Sequence, residues 1–377
     1  MMCWKLMCGM WIVFGLTGCG NLLELAVELS ENANSGSSTG SGTDSKAGPV
    51  EHIDADERRQ AALLMPTLGP VQKEIRMFRA DVRSAFESGE FDKLERMAEG
   101  LIAEGDEALF ANGSWKIAQF YNGLSDRFSD SEDQFLTDLE RHRRWRKEMP
   151  ESTVAKIAYG DFLTQYAWFA RGGGYANTVT NRGWRLFRTR LAEARDLLMP
   201  LMGEELKDPY WGMVMLWVAL GQGWSETDYS KLINDLKRLA PTFWGYDLQR
   251  AYSLLPRWHG EKGDWVRYAA WAADRPDGLG DEVYARVVIR MVGFYGSVYR
   301  ETSADWERTR SGLKILLEKY PKSLSLANSA ARVAVVGDDR EMAAELFKQI
   351  GEKYVEDCWI NPEQFVHYRT WARTGKW

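Results

Sequence analysis

Gln165-Tyr-Ala-Trp-Phe-Ala-Arg-Gly-Gly-Gly-Tyr-Ala176, with the Pro150–Trp224 segment around it, decides how this chain is read. The spacing predicts a helix, an abrupt glycine stop, a second helix, and a third that is apolar on nearly every side. Ser152 or Thr153 stands where a hydroxyl caps the first helix, just after Pro150. Val154, Ala158, Phe162, Tyr166 and Phe169 then share one face at spacings of three and four. Gly172, Gly173 and Gly174 end that helix, since glycine weakens it and tolerates the left-handed cap. Trp184, Phe187, Leu191, Ala194 and Leu198 repeat the stripe in the second helix. Asp208-Pro209 opens the third, where Tyr210, Trp211, Met213, Val214, Leu216, Trp217, Val218 and Leu220 leave almost no polar face. A helix apolar all round belongs inside a stack of helices. The expected fold class is therefore all-α.

Outward from that stretch, helical periodicity continues from Ala55, with no alternating strand pattern. Ala85 to Ala98 reads as a helix, a tight turn at Gly89 and a second helix. Gly89, Phe91, Leu94, Ala98 and Leu101 resemble the turn and packing positions of a tetratricopeptide unit, although Asp81 stands where a leucine belongs. Leu326 to Ile350 offers a second such unit through Ala327, Ala331, Ala343, Phe347 and Ile350. The body, 55–377, is thus expected to be a tetratricopeptide-like helical array, an α-α superhelix or solenoid, with its C-terminal repeat over about 302–354. Ser131-Glu-Asp-Gln134, Ser225-Glu-Thr-Asp228 and Thr302-Ser-Ala-Asp305 read as capping boxes. Pro241, Pro256, Pro276 and Pro321 punctuate the helices.

Residues 1–18 have the pattern of a secretion signal: Lys5, then an apolar run from Leu6 to Leu16 that is too short for a spanning anchor. The run ends in Leu16-Thr17-Gly18-Cys19, which resembles the lipobox of bacterial lipoproteins. That resemblance implies acylation of Cys19, attachment to a bilayer, and residence in the bacterial cell envelope. Residues 19–54 then supply a Ser/Gly-rich tether. Gly36-Ser37-Ser38-Thr39-Gly40 matches a nucleophile-elbow pattern, but its low-complexity flanks lack the strand and helix that such an elbow needs.

Asn112-Gly-Ser-Trp-Lys116, Phe120-Tyr-Asn-Gly-Leu124, Tyr166 to Ala176, Trp184-Arg-Leu-Phe187, Gly221-Gln-Gly-Trp224 and Leu255-Pro-Arg-Trp-His-Gly260 occur in that order. Together they resemble the landmarks of a bacterial domain-of-unknown-function family, number 4034, over about 91–284. The resemblance implies a helical-repeat fold and no assigned activity.

A formal charge of −6 argues against non-specific nucleic-acid binding, which needs a basic field. Cysteines at 3, 8, 19 and 358 leave no disulfide framework after the signal is removed. The four histidines are scattered and neither H-E-x-x-H nor paired cysteines occur, so no metal is expected. Arg171-Gly-Gly-Gly-Tyr175 lacks the ending of a phosphate-binding loop, so no nucleotide cofactor is expected either. That loop reads either as an anion-binding nest or as a helix cap in which Arg171 bonds the last carbonyls. Pro256-Arg-Trp-His-Gly260 reads as a carboxylate and stacking site, or as a plug between helices. Arg141-His-Arg-Arg-Trp-Arg-Lys147 reads as a solvated face balanced by nearby acids, with anionic headgroups as the alternative. Trp168, Arg171, Tyr175, Arg257, Trp258 and His259 form the expected contact set for a protein, peptide or glycan in the envelope, with no catalytic residue assigned. The alternative is an envelope glycan hydrolase or lyase that uses an unidentified Asp or Glu as general acid.

Overall fold

The computed structural model describes residues 53–127, 129, 131–203, 205–258 and 260–377. Cys19, the lipobox, residues 19–52 of the expected tether and His259 lie outside the described residues, while Asp54, its last residue, caps the first helix. Within them the chain is all-α: seventeen α-helices, five short 3-10 turns and no strand beyond one isolated bridge between Leu109 and Trp115. The chain divides into two compact units, 74–261 and 53–73 with 262–377. No helix among the described residues is long and apolar enough to cross a membrane.

The helices are α1 (Ala55–Leu63), α2 (Pro70–Ser88), α3 (Phe91–Glu104), α4 (Lys116–Leu124), α5 (Glu132–Glu148), α6 (Thr153–Arg171), α7 (Asn181–Leu198), α8 (Tyr210–Gln222) and α9 (Glu226–Leu239). They continue with α10 (Gly245–Ser253), α11 (Asp264–Ala273), α12 (Asp281–Met291), α13 (Val298–Glu301), α14 (Trp306–Lys319), α15 (Leu324–Val336), α16 (Arg340–Ile350) and α17 (Pro362–Thr374).

In the 74–261 unit, α6 starts where a hydroxyl satisfies its orphan amides. Ser152 Oγ accepts from Ala155 N at 2.8 Å, which selects Ser152 over Thr153 as the cap. Gly172, at φ 73°, ends the helix in a conformation that a Cβ disfavours. Thr180 caps α7 in the same way, and α7 turns Phe187, Leu191, Ala194 and Leu198 inward. Asp208 Oδ1 accepts from Tyr210 N at 2.9 Å to start α8, in which every residue from Tyr210 to Leu220 is buried. Each large apolar side chain so buried contributes about 1.5–3 kcal/mol, against the ordering entropy of the chain. The turn at Gly89 joins α2 to α3, and Phe91, Leu94 and Ala98 pack inward as the repeat resemblance implied.

In the second unit, α15 and α16 form the other repeat-like pair. Ala327, Ala331, Ala343, Phe347 and Ile350 are buried there, and Asp338 turns the chain at φ 58°. The N-terminal α1 belongs to this unit too. Its capping box is complete: Asp54 Oδ1 accepts from Glu57 N at 2.8 Å, and Glu57 Oε2 accepts from Asp54 N at 3.2 Å. Glu57 Oε2 also lies 3.0 Å from His367 Nδ1 of α17, and both residues are buried.

Three details depart from the sequence reading. Ser131 and Ser225 cap α5 and α9 as expected, but Thr302 caps nothing of α14. Thr302 instead closes the short α13, and Asp305 accepts from Arg308 N to start α14. Phe169, assigned to the buried face of α6, is 36% exposed at its rim, though it still touches the Phe135 ring at 4.6 Å. The basic run of α5 is two-faced. Arg143 and Arg144 pair with Glu140 and Glu148 in solvent, as expected, whereas His142 and Trp145 turn into the core.

Candidate functional site

The last turn of α6 places Trp168 and Arg171 three residues apart and hence on one face. Trp168 is 7% exposed and meets three rings edge-on: Phe187 at 4.9 Å, Trp217 at 5.7 Å and Trp258 at 5.7 Å between centroids. Trp258 sits in the turn after α10, held by a bond from its amide to Leu255 O at 2.9 Å, and is half-buried. The Arg171 guanidinium carbon lies 5.6 Å from the Trp168 and Trp184 ring centroids and 5.8 Å from that of Trp258. One cation is thus enclosed by three indoles, within the range where the ring quadrupole attracts it. Arg257, exposed, stands 5.6 Å from Trp258.

Arg171 also serves the turn. Its Nη1 donates to Gly172 O at 3.0 Å and Gly174 O at 3.2 Å, carbonyls of the glycine turn beyond the helix rather than the last carbonyls of α6 itself. Burial disfavours its charge and lowers its pKa; Tyr252 opposes that shift and Arg257 adds to it. Neither Arg171 nor Arg257 forms an ion pair among the described residues. The indole Nε1 atoms of Trp168 and Trp258 are both buried and have no hydrogen-bond acceptor there.

The structure therefore brings together Trp168, Arg171, Arg257 and Trp258. Tyr175, expected with them, projects from the turn beyond Gly174; it is 63% exposed, and its ring touches no other aromatic ring among the described residues. Trp184 completes the enclosure and was read only as part of a packing stripe. Its half-burial at the open end of that stripe is the signal that separates it from Phe187 and Leu191.

A second polar assembly lies inside the same unit and was not read from the sequence. Asp138 is fully buried among Arg83, Arg127 and Arg141, at 2.9, 2.9 and 2.8 Å. Burial pushes its carboxyl upward, but the guanidiniums outweigh it and hold the pKa below the usual value. Arg127 Nη1 donates to Gln165 Oε1 at 2.9 Å, and Gln165 Nε2 donates to Asp161 Oδ2 at 2.7 Å and Ser125 Oγ at 2.6 Å. Burial raises Asp161 to about 7, with Gln165 and Arg127 opposing. It raises Asp208, which accepts from Tyr121 Oη at 2.5 Å, to about 6. His142, packed against Phe86 and Phe162, is driven down to about 3 by burial.

On α2 a cleft of about 480 Å³ is lined by Arg76, Arg79, Arg83, Glu87 and Asp126 among others. Arg79 is engaged by Asp126 and Arg83 by Glu87 and Asp138, so most of its positive charge is already answered. No group of three or more His, Cys, Asp or Glu residues suited to a metal occurs among the described residues. Cys358 is buried and forms no disulfide among the described residues. Comparison with protein-family models, with curated proteins and with solved structures finds no match to this chain.

Proposed function

We propose that this chain is a membrane-tethered helical-repeat lipoprotein that acts as a protein or peptide interaction module in the bacterial envelope. The supporting observation is the indole-enclosed Arg171, with exposed Arg257 against the same Trp258 ring. Tryptophan, tyrosine and arginine are the residues that dominate binding energy at protein interfaces, because they combine large contact area with directed donors. Two cations without carboxylate partners among the described residues, one on the last turn of α6 and one in the turn after α10, suit recognition from outside better than internal stability. The lipobox-like Leu16-Thr17-Gly18-Cys19 supports the tether and the envelope location. The glycan hydrolase reading asks for a raised carboxyl open to substrate. Asp161 and Asp208, which burial raises to about 7 and about 6, are each 2% exposed and bonded within the core, and half-buried Glu95, which burial also raises, accepts from Trp145 Nε1 and Ser152 Oγ, so these internal bonds favour the binder.

The test is crosslinking in intact membranes followed by identification of captured proteins. Wild type is compared with Arg171→Ala, Arg257→Ala and the exposed control Lys348→Ala in the second unit. Partners lost in both arginine variants and kept in the control are expected; identical capture by all four removes this reading. In the same cells Cys19→Ser is expected to move the protein to the soluble fraction or stall its processing, and unchanged detergent partitioning removes the tether.

A further inference from the structure

The indole–arginine cluster contains donors and no acceptors. Arginine and tryptophan side chains only donate. Arg171 spends Nη1 on two turn carbonyls, which fixes its plane, and has no carboxylate partner among the described residues. Arg257 has no hydrogen bond or ion pair there. Trp168 Nε1 and Trp258 Nε1 are both sealed from solvent without an acceptor, although buried donors are nearly always satisfied. Two orphan N–H groups belong to two rings 5.7 Å apart, both within 5.8 Å of the Arg171 guanidinium carbon and one also 5.6 Å from that of Arg257, an unusual deficit for one small region. Packing alone explains the ring contacts. It does not explain why the arginine and tryptophan side chains gathered there offer only donors. What the cluster lacks is an oxygen acceptor carrying negative charge.

We propose that this cluster binds the carboxylate of a peptide, with the anion held between Arg171 and Arg257, its oxygens accepting from the indole N–H groups, and its adjoining side chain lying against Trp258 or Trp184. A carboxylate fits because its two oxygens offer about four acceptor positions and match a fixed guanidinium fork. A peptide fits because the Trp184 and Trp258 rings beside Arg171 offer an apolar face to the side chain that adjoins a terminal carboxylate. This inference deepens the interaction-module reading and rests on it for the choice of ligand class.

The experiment uses the full chain in detergent micelles with indole ¹⁵N-labelled tryptophan; Trp168→Phe and Trp258→Phe assign the two resonances. The probes are the dipeptide N-acetyl-Phe-Ala with a free carboxylate, its C-terminal amide, and inorganic phosphate. The free-carboxylate dipeptide is expected to shift both indole N–H signals downfield, saturably, with the amide at least about tenfold weaker. Arg257→Gln, at an exposed position that leaves the fold intact, is expected to weaken the dipeptide about tenfold. Arg171→Lys, which keeps the charge and loses the fork, is expected to weaken it as well while leaving the other tryptophan signals in place. Equal titration by dipeptide and amide overturns the proposal. So does a response to phosphate without one to the dipeptide, or the absence of any shift at the two indoles. The two readings fail separately. Arginine-dependent capture of partners without dipeptide binding leaves an interaction module of different chemistry. Dipeptide binding without captured partners leaves the carboxylate site and removes the module.

Discussion

At the residue scale the energetic extremes of the 74–261 unit are its buried titratable groups, and they pull stability in opposite directions with pH. Asp161 titrates near 7 when folded and near its ordinary 3.8 when unfolded. Between those values the folded chain holds a proton that the unfolded chain has released, so this residue makes stability fall as pH rises from about 4 to about 7. Asp208 acts in the same sense from 3.8 to about 6. His142 acts oppositely: it stays neutral down to about 3 when folded, while the unfolded imidazole protonates below 6.5. The acid side therefore balances two carboxyls against one imidazole, and above pH 6.5 only Asp161 still titrates. Asp161→Asn keeps the shape and the neutral state, and leaves Gln165 a partner. It is expected to match wild type near pH 4 and to exceed its stability by a few kcal/mol at pH 8. Urea unfolding at the two pH values measures this; an equal loss at both would show that the carboxyl is held for its bonds and not as a buried acid.

Elements are where this sequence is most legible, and the reasons are local. Caps at Ser152, Ser131 and Ser225 and the stripe on α7 follow from residues within one or two turns of each other, so they could be read without knowing what packs outside. Thr302 misled because it closes a four-residue helix too short to show a period, bonding Val298 O, while Asp305 takes the cap of α14. The Asp138 cluster was invisible for a different reason: Arg83 and Arg127 reach it from α2 and from the segment before α5, and only packing brings such distant positions together. The candidate site lies between these cases. Trp168 and Arg171 share a helix face by spacing, whereas Trp184 joins them across a glycine turn whose path no local rule sets. Gly221 on α8 shows how tightly the elements hold the site. A Cβ there would come within 2.5 Å of Leu191, 2.9 Å of Phe187 and 3.3 Å of Trp168. Leu191 and Phe187 are buried against α8 and have little room to yield. Gly221→Ala is expected to destabilise this unit by about 1–3 kcal/mol through overpacking, despite the better helix propensity of alanine. The same substitution should move the Trp168 indole resonance. A stable variant with an unmoved signal would mean that α8 does not set the position of Trp168.

For the molecule as a whole, the two compact units make stability a local property. The second unit is discontinuous in sequence, and its two segments meet where buried Glu57 of α1 faces buried His367 of α17. Glu57 has two duties there. Its carboxylate accepts from Asp54 N in the capping box and sits against the His367 ring, so one side chain both starts α1 and joins it to the end of the chain. Removing it leaves a buried imidazole whose Nε2 already lacks a partner with no partner on Nδ1 either. Glu57→Ala is expected to cost about 2–4 kcal/mol, combining a lost cap interaction with an unsatisfied buried group. Glu57→Gln, which still offers an oxygen to both duties, is expected to lose less. Hydrogen exchange reads the effect unit by unit. The amides of α15 and α17 should lose protection in Glu57→Ala while those of α8, sealed in the other unit, keep theirs. Equal loss in α8 and α17 would show that the units unfold together. Unchanged exchange throughout would show that α1 is held by its apolar contacts and that the buried pair contributes nothing. If only the second unit loosens, the indole–arginine site should bind its dipeptide with unaltered affinity in Glu57→Ala, since each residue of that site belongs to 74–261.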